Sequence, residues 1–278
     1  MKLRPYQEEL VNQIRTAVAE GHKRILVQLP TGGGKTVIFR HLIGHHCTQG
    51  ERSLVIAHRE ELIYQAALHL EQEGLVVGLI KAGEPPSPIA SVQVASIQTL
   101  ARRAAPPATL VVWDEAHHCK SASYVQIMES YPNAIHLGFT ATPARLDGQG
   151  FEDIFETLVC GPKVMELISQ GALVRPRCYL AFTIQANGIK QMGGDYKLND
   201  LERVVRNTTG LTTEVVKSWQ QRAYGKRTVV FGVSISHSRA LCQGFCSQGI
   251  PAVHLDGSTP PLKGSKYSPN LPAERFWC

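Results

Sequence analysis

The chain has 278 residues, 43% of them hydrophobic and 19% charged, with 29 Lys plus Arg against 23 Asp plus Glu for a net charge of +6. That length and balance suit one large or two ordinary globular domains and argue against disorder. No run reaches the roughly 18 uncharged apolar residues of a membrane span, and the first residues, MKLRPYQEELVNQI, lack the apolar core of a signal peptide, so the expected compartment is the cytoplasm. The seven cysteines are odd in number and none forms a CxxC pair, which makes them reduced thiols rather than a disulfide or zinc framework. Charge is uneven: residues 1–165 sum to −1 and residues 166–278 to +7, a weak pointer to a polyanionic partner.

In chain order, short apolar runs alternate with amphipathic segments. RILVQL (24–29), SLVIA (53–57), residues 75–80, residues 92–96, TLVVW (109–113) and residues 135–139 read as buried strands. Residues 8–20, 36–46 and 60–73 carry apolar side chains at helical spacing. Such alternation predicts an α/β fold, a parallel sheet with helices on both faces. GEPPSPIA (83–90) and AAPPA (104–108) are too proline-rich for element interiors and read as loops. The pattern changes after residue 151. KVMELISQGALVRPR reads as a helix ending near Gly171 and an extended stretch that Pro176 keeps out of helix geometry. A first domain is therefore expected over 1–165 and a connector over 166–205. Residues 206–260 form a second unit, with helices at 212–222 and 236–248 and strands at 227–233 and 251–255. Residues 261–278 have no periodicity and are expected to form no element.

Two segments carry chemistry. LPTGGGKT (29–36) follows a strand and opens a helix. A loop whose backbone N–H groups point at a triphosphate needs residues free to adopt unusual φ values, which Gly32, Gly33 and Gly34 supply after Thr31. Lys35 can then reach the β- and γ-phosphates, Thr36 can ligate Mg2+, and the helix dipole adds positive potential. Leu29 departs from the strict pattern, which wants glycine there. VVWDEAHH (111–118) is an apolar strand ending in two acids: Asp114 can hold the magnesium and Glu115 can orient and deprotonate water. Two acids merely capping a helix would explain that segment alone, but not beside a phosphate loop. His41 and His45 have a zinc-compatible i, i+4 spacing without an evident further ligand, so ordinary solvated histidines are the simpler reading. Of the three tryptophans, which could stack bases, Trp113 falls on a buried strand and belongs to the core.

TGGGKT, WDEAHH and GFTATPARLDG (138–148) together resemble superfamily 2 helicases of the DEAD/DEAH-box kind, closest to DNA-repair helicases and type III restriction motor subunits. The resemblance spans about residues 3–260 and implies RecA-like lobes that bind ATP in the cleft between them. It implies that Gln7 in LRPYQ pairs with the adenine edge and that Arg59 in AHREELIYQA lies near the nucleic-acid backbone. It further implies that Gln98 and Thr99 in VASIQTL contact the strand, and that His117, Thr140 and Thr142 couple hydrolysis to strand movement. VVFGVSISHSRAL (229–241) resembles the start of the second lobe. The family's later Gln-x-x-Gly-Arg-x-x-Arg stretch, whose arginines are worth roughly 10³–10⁵ in phosphoryl-transfer rate, is absent from these 278 residues. The expectation is thus an ATP- and Mg2+-dependent helicase or translocase on nucleic acid, DNA rather than RNA, impaired by a C-terminally truncated second lobe. The alternative is an ATP- and nucleic-acid-binding module with little turnover unless a partner chain completes it. A P-loop kinase explains neither the DEAHH nor the TATPAR segment.

Overall fold

The computed structural model describes residues 2–57, 60–119, 121–143, 150–180, 189, 191–192, 195–259 and 276–277. The chain divides into two compact units, Met1–Arg175 and Pro176–Cys278. The first contains α1 (Pro5–Ala19), β1 (Arg24–Gln28), α2 (Lys35–Thr48), β2 (Ser53–Ala57), α3 (Glu60–Glu71), β3 (Val77–Ile80) and β4 (Val92–Ser96). It continues through α4 (Ile97–Leu100), β5 (Leu110–Asp114), a 3-10 turn (Ala116–His118), α5 (Ala122–Glu129), β6 (Ile135–Thr140), β7 (Thr157–Cys160) and α6 (Val164–Ser169).

The seven strands form one parallel sheet in the order β3-β4-β2-β5-β6-β1-β7. Strand side chains alternate between faces, and here both faces are buried. Ile25, Val27, Val55 and Val112 pack with Leu10, Ile14, Ile38, Phe39 and Ile63 of α1, α2 and α3. Leu26, Leu54, Ile56, Val111 and Trp113 pack on the other side with Ile97, Leu100, Tyr124 and Ile127 of α4 and α5. Double burial explains why these strands read as unbroken apolar runs, each fully buried Ile, Leu or Phe contributing about 1.5–3 kcal/mol. This is the parallel α/β sheet with helices on both faces that the alternation of apolar runs and amphipathic segments predicts for the first domain. Register brings the carboxyl ends together: Gln28 pairs with Thr140 and Asp114 with Phe139, so the residues following β1, β5 and β6 emerge along one edge. Ligands of open parallel sheets bind at that edge.

The first unit runs beyond the boundary expected near residue 165. Leu167 of α6 is fully buried in the same core, with Ala172 and Leu173 packed against that core, so this one side chain ties α6 to the first unit. The second unit holds β8 (Gln191–Met192) and β9 (Asp195–Tyr196), which pair antiparallel, then α7 (Leu198–Asn207), α8 (Leu211–Arg222), α9 (Ile235–Ser247), β10 (Ala252–Val253) and β11 (Phe276–Trp277). Its small core is Val216, Trp219, Phe245 and Ile250. Trp219, a candidate for base stacking, is instead 7% exposed and donates to Thr228 Oγ1 at 2.8 Å. The strand expected over 227–233 is not a strand: Val229 and Phe231 are 61% and 90% exposed, so the run lacks the two covered faces that would reward a ladder. Conversely, residues 276–277 of the segment expected to form no element pair in parallel with β10. Among the described residues no helix is long and apolar enough to cross a membrane.

Candidate nucleotide site

The loop at residues 32–34 is constrained at each of its three consecutive glycines. Gly34 precedes the first turn of α2 at φ 90, and Gly32 sits at φ 78, both in the left-handed region that side chains resist. A Cβ on Gly34 would strike the Gln7 amide, and one on Gly33 would lie 2.8 Å from Leu29. Leu29 is wholly buried, and its amide donates to the Thr140 carbonyl at 3.0 Å, which ties the root of the loop to the end of β6. The non-glycine residue at 29 therefore serves as a core anchor beneath the loop.

From α1, the Tyr6 hydroxyl donates to the Gly33 carbonyl at 2.8 Å and Gln7 Nε2 approaches the same oxygen at 3.4 Å. Gln7 is 4% exposed, and its Oε1 accepts from the Arg4 amide at 2.9 Å. A remaining contact from Gln7 Nε2 to the Tyr6 hydroxyl is 3.5 Å long. Beside these residues a cleft of about 790 Å³ opens between Arg4, Tyr6 and Glu9 on one wall and Gln170, Gly171 and Ala172 on the other.

The acid pair faces the loop. Lys35 Nζ lies 4.0 Å from Glu115 Oε1, with the Lys35 side chain only 11% exposed. His117 Nδ1 stands 3.3 Å from the other Glu115 oxygen and 3.5 Å from Thr140 Oγ1. Thr140 Oγ1 in turn donates to the Thr142 carbonyl and accepts from the Thr142 amide, both at 3.1 Å. Lys35, Glu115, His117, Thr140 and Thr142 thus form one polar chain across the carboxyl edge. Asp114 Oδ1 accepts from the Glu115 amide at 3.1 Å. Burial, then the neighbouring Glu115 charge, push the Asp114 carboxyl above its ordinary range, opposed by that amide, by Lys35 and by His117. Glu115 is the one non-glycine residue with positive φ, at 53, among the described residues.

Thr31 is exposed at the loop's crest and Thr36 half-buried in the first turn of α2. Gln98 is exposed on α4, where the Ser96 hydroxyl caps the helix by accepting from the Thr99 amide at 3.2 Å. Both lie at the carboxyl end of β4, on the same edge of the sheet. Arg59 lies outside the described residues. Tyr6 and Leu173, which touch the loop, were not singled out from sequence; Tyr6 at least stands inside LRPYQ, whereas nothing marks Leu173.

The family model described as type III restriction enzyme, res subunit, matches residues 1–145. The Schizosaccharomyces pombe protein named as mitochondrial ATP-dependent helicase irc3 is 30% identical over 278 residues, covering 93% of this chain and 45% of its own length. The Sulfurisphaera tokodaii protein named DNA 3'-5' translocase XPB2 is 30% identical over 166 residues, covering 59% and 35%. The Pyrococcus furiosus Hef helicase domain is 25% identical with a TM-score of 0.46, covering 57% of this chain and 37% of that one. The chain spans about half the length of the curated relatives it matches.

Proposed function

The chain belongs to the type III restriction enzyme res-subunit family, and from that membership we propose that it is an ATP-dependent helicase or translocase acting on DNA. The observation that carries the reading is the continuous polar chain from Lys35 through Glu115 and His117 to Thr140 and Thr142, set over a glycine loop held in left-handed geometry. Two relatives support it: one is named an ATP-dependent helicase and another a DNA translocase.

In this reading the amides of residues 32–36 and the Lys35 ammonium hold the β- and γ-phosphates of ATP at the N-terminus of α2. Thr36 and Asp114 would hold Mg2+, an all-oxygen donor pair suited to that cation; when bound, the ion would offset the negative charge of the phosphates. The raised affinity of Asp114 for a proton fits a buried carboxylate that faces a cation in the working state. Glu115 orients the attacking water and accepts its proton. Gln7 reads the adenine edge by exchanging its long contact to the Tyr6 hydroxyl, using the amide geometry that reads adenine elsewhere. His117, placed between Glu115 and Thr140, links the state of the water-activating carboxylate to the Thr140–Thr142 turn. Gln98, Thr99 and Arg59 are assigned to the strand-contacting surface.

Steady-state ATP hydrolysis by the full chain, with and without single-stranded DNA and beside Lys35→Ala, tests this. Turnover that rises with DNA and vanishes in Lys35→Ala is expected. Nucleotide binding without DNA-responsive turnover would replace the motor with a binding module.

A further inference from the structure

The segment after α6 turns back onto the phosphate loop. Gly171 reverses the chain at φ 68, and the amides of Ala172 and Leu173 both donate to the Leu167 carbonyl, at 2.8 and 3.0 Å. Arg4 Nη1 donates to the Ala172 carbonyl at 3.2 Å. A Cβ on Gly32 would lie 2.9 Å from Leu173 Cδ2, so the leucine methyl rests directly on the loop backbone. Leu173 is half-buried against the first core, Val174 is 92% exposed, and the first unit ends at Arg175. The last apolar contact of this unit is therefore made with the exposed crest of the loop. Its base is held separately, by Tyr6 and Gln7 on the Gly33 carbonyl.

Ordering a run of three glycines costs more backbone entropy than any other sequence. A side chain packed on the left-handed residue lowers that cost before the phosphates arrive. We propose that the Gly171–Leu173 turn is a strap on the phosphate loop, in which Leu173 is a positioning residue for Gly32 and nucleotide binding in turn fixes the turn at which the first unit ends. The second half follows from reciprocity: if the contact favours the phosphate-binding conformation, bound phosphate favours the contact by the same factor. The inference rests on reading the loop as the ATP phosphate site.

Two measurements on the full chain test it. Hydrogen exchange is followed with and without ATP and magnesium across residues 170–175; slower exchange of the Ala172 and Leu173 amides is expected. Affinities of wild type, Leu173→Ala and Leu173→Met are measured for ATP, ADP and AMP. Truncation should weaken ATP and ADP by about tenfold, the scale of removing a half-buried leucine's contacts, leave AMP unchanged, and be rescued by the volume-matched methionine. Exchange at these amides that ignores ATP would overturn the strap, and this arm needs no variant to fold. So would a Leu173→Ala protein that binds ATP normally, or one that loses AMP as much as ATP. Lys35→Ala separates the two levels: undiminished ATP binding in that variant would remove the phosphate-site reading itself, whereas its loss beside a neutral Leu173→Ala would remove the strap alone.

Discussion

Adding one methyl at Gly34 should test the loop geometry quantitatively. Gly34 lies at φ 90, where an L-residue costs about 1–2 kcal/mol. The new Cβ would also strike the Gln7 amide. That amide must swing away, giving up its bond from the Arg4 amide (2.9 Å) and its approach to the Gly33 carbonyl (3.4 Å). Two such bonds are worth about 1 kcal/mol each, so Gly34→Ala should cost about 3 kcal/mol in all. Gly21 provides the reference: it sits at φ 95 with nothing within 4 Å of an added Cβ, so Gly21→Ala should show only the backbone part. Urea unfolding of the nucleotide-free protein and titration with a fluorescent ATP analogue together capture the cost, whether the loop is strained before or upon binding. A cost of this size borne wholly by binding would weaken ATP roughly 100-fold. In a Gln7→Ala background the penalty should shrink to about that of Gly21→Ala. If Gly34→Ala proved no worse than Gly21→Ala, or if Gln7→Ala gave no relief, the proposed packing of α1 against the loop would be wrong.

Other outcomes follow from the same geometry. Glu115→Gln should keep ATP and magnesium binding but lose hydrolysis, because an amide cannot accept the water's proton; Asp114→Asn should weaken the magnesium-dependent part of binding, and identical magnesium titrations for the two variants would refute the division of roles. His136 is buried, with Nδ1 accepting from Trp113 Nε1 at 3.2 Å and Nε2 donating to the Tyr131 carbonyl at 3.0 Å, an arrangement open only to the neutral ring. Burial accordingly lowers its proton affinity below the ordinary 6.5, so from that pH downward to the lowered value the unfolded chain binds the extra proton and stability falls with pH. His136→Asn should flatten that fall, and an unchanged slope in urea unfolding between pH 7.5 and 5.5 would contradict the assignment.

What could be read from the sequence depended on how many faces an element buries. The central strands announced themselves because both faces are covered, so Arg24–Gln28 and Leu110–Asp114 carry almost unbroken apolar runs. β7 went unread: at the sheet edge only Val159 of TLVC is buried, and a four-residue strand with one buried side chain has no periodicity to detect. α7 escaped for the same reason, having no fully buried residue. In the opposite direction, TVVF looked like a strand from its β-branched residues, yet propensity without a covering layer did not make one. The nucleotide site divides in the same way. Its glycine loop and its acid pair are each a short contiguous segment, so both could be proposed from sequence. The contacts that shape them join distant positions: Tyr6 to Gly33, Leu29 to Thr140, and Leu173 to Gly32.

The position of Glu115 shows most clearly what the sequence withholds. Were β5 to continue extended, residue 115 would alternate to the face of Trp113, among Ile56, Tyr124 and Phe155, where a carboxylate would be buried without a partner. The left-handed turn at φ 53 prevents this by reversing the chain at once, at a cost of about 1–3 kcal/mol for a non-glycine residue. Its carboxylate then meets Lys35 and His117 rather than the core. The Asp114 oxygen accepting the Glu115 amide holds the turn from the preceding residue, so the two acids are coupled through the backbone as well as by charge. Glycine at 115 would relieve the strain, but it would lose the carboxylate for which the turn is made. A glutamate in a conformation that costs free energy, with its carboxylate beside Lys35 and His117, supports the water-activating role proposed for Glu115.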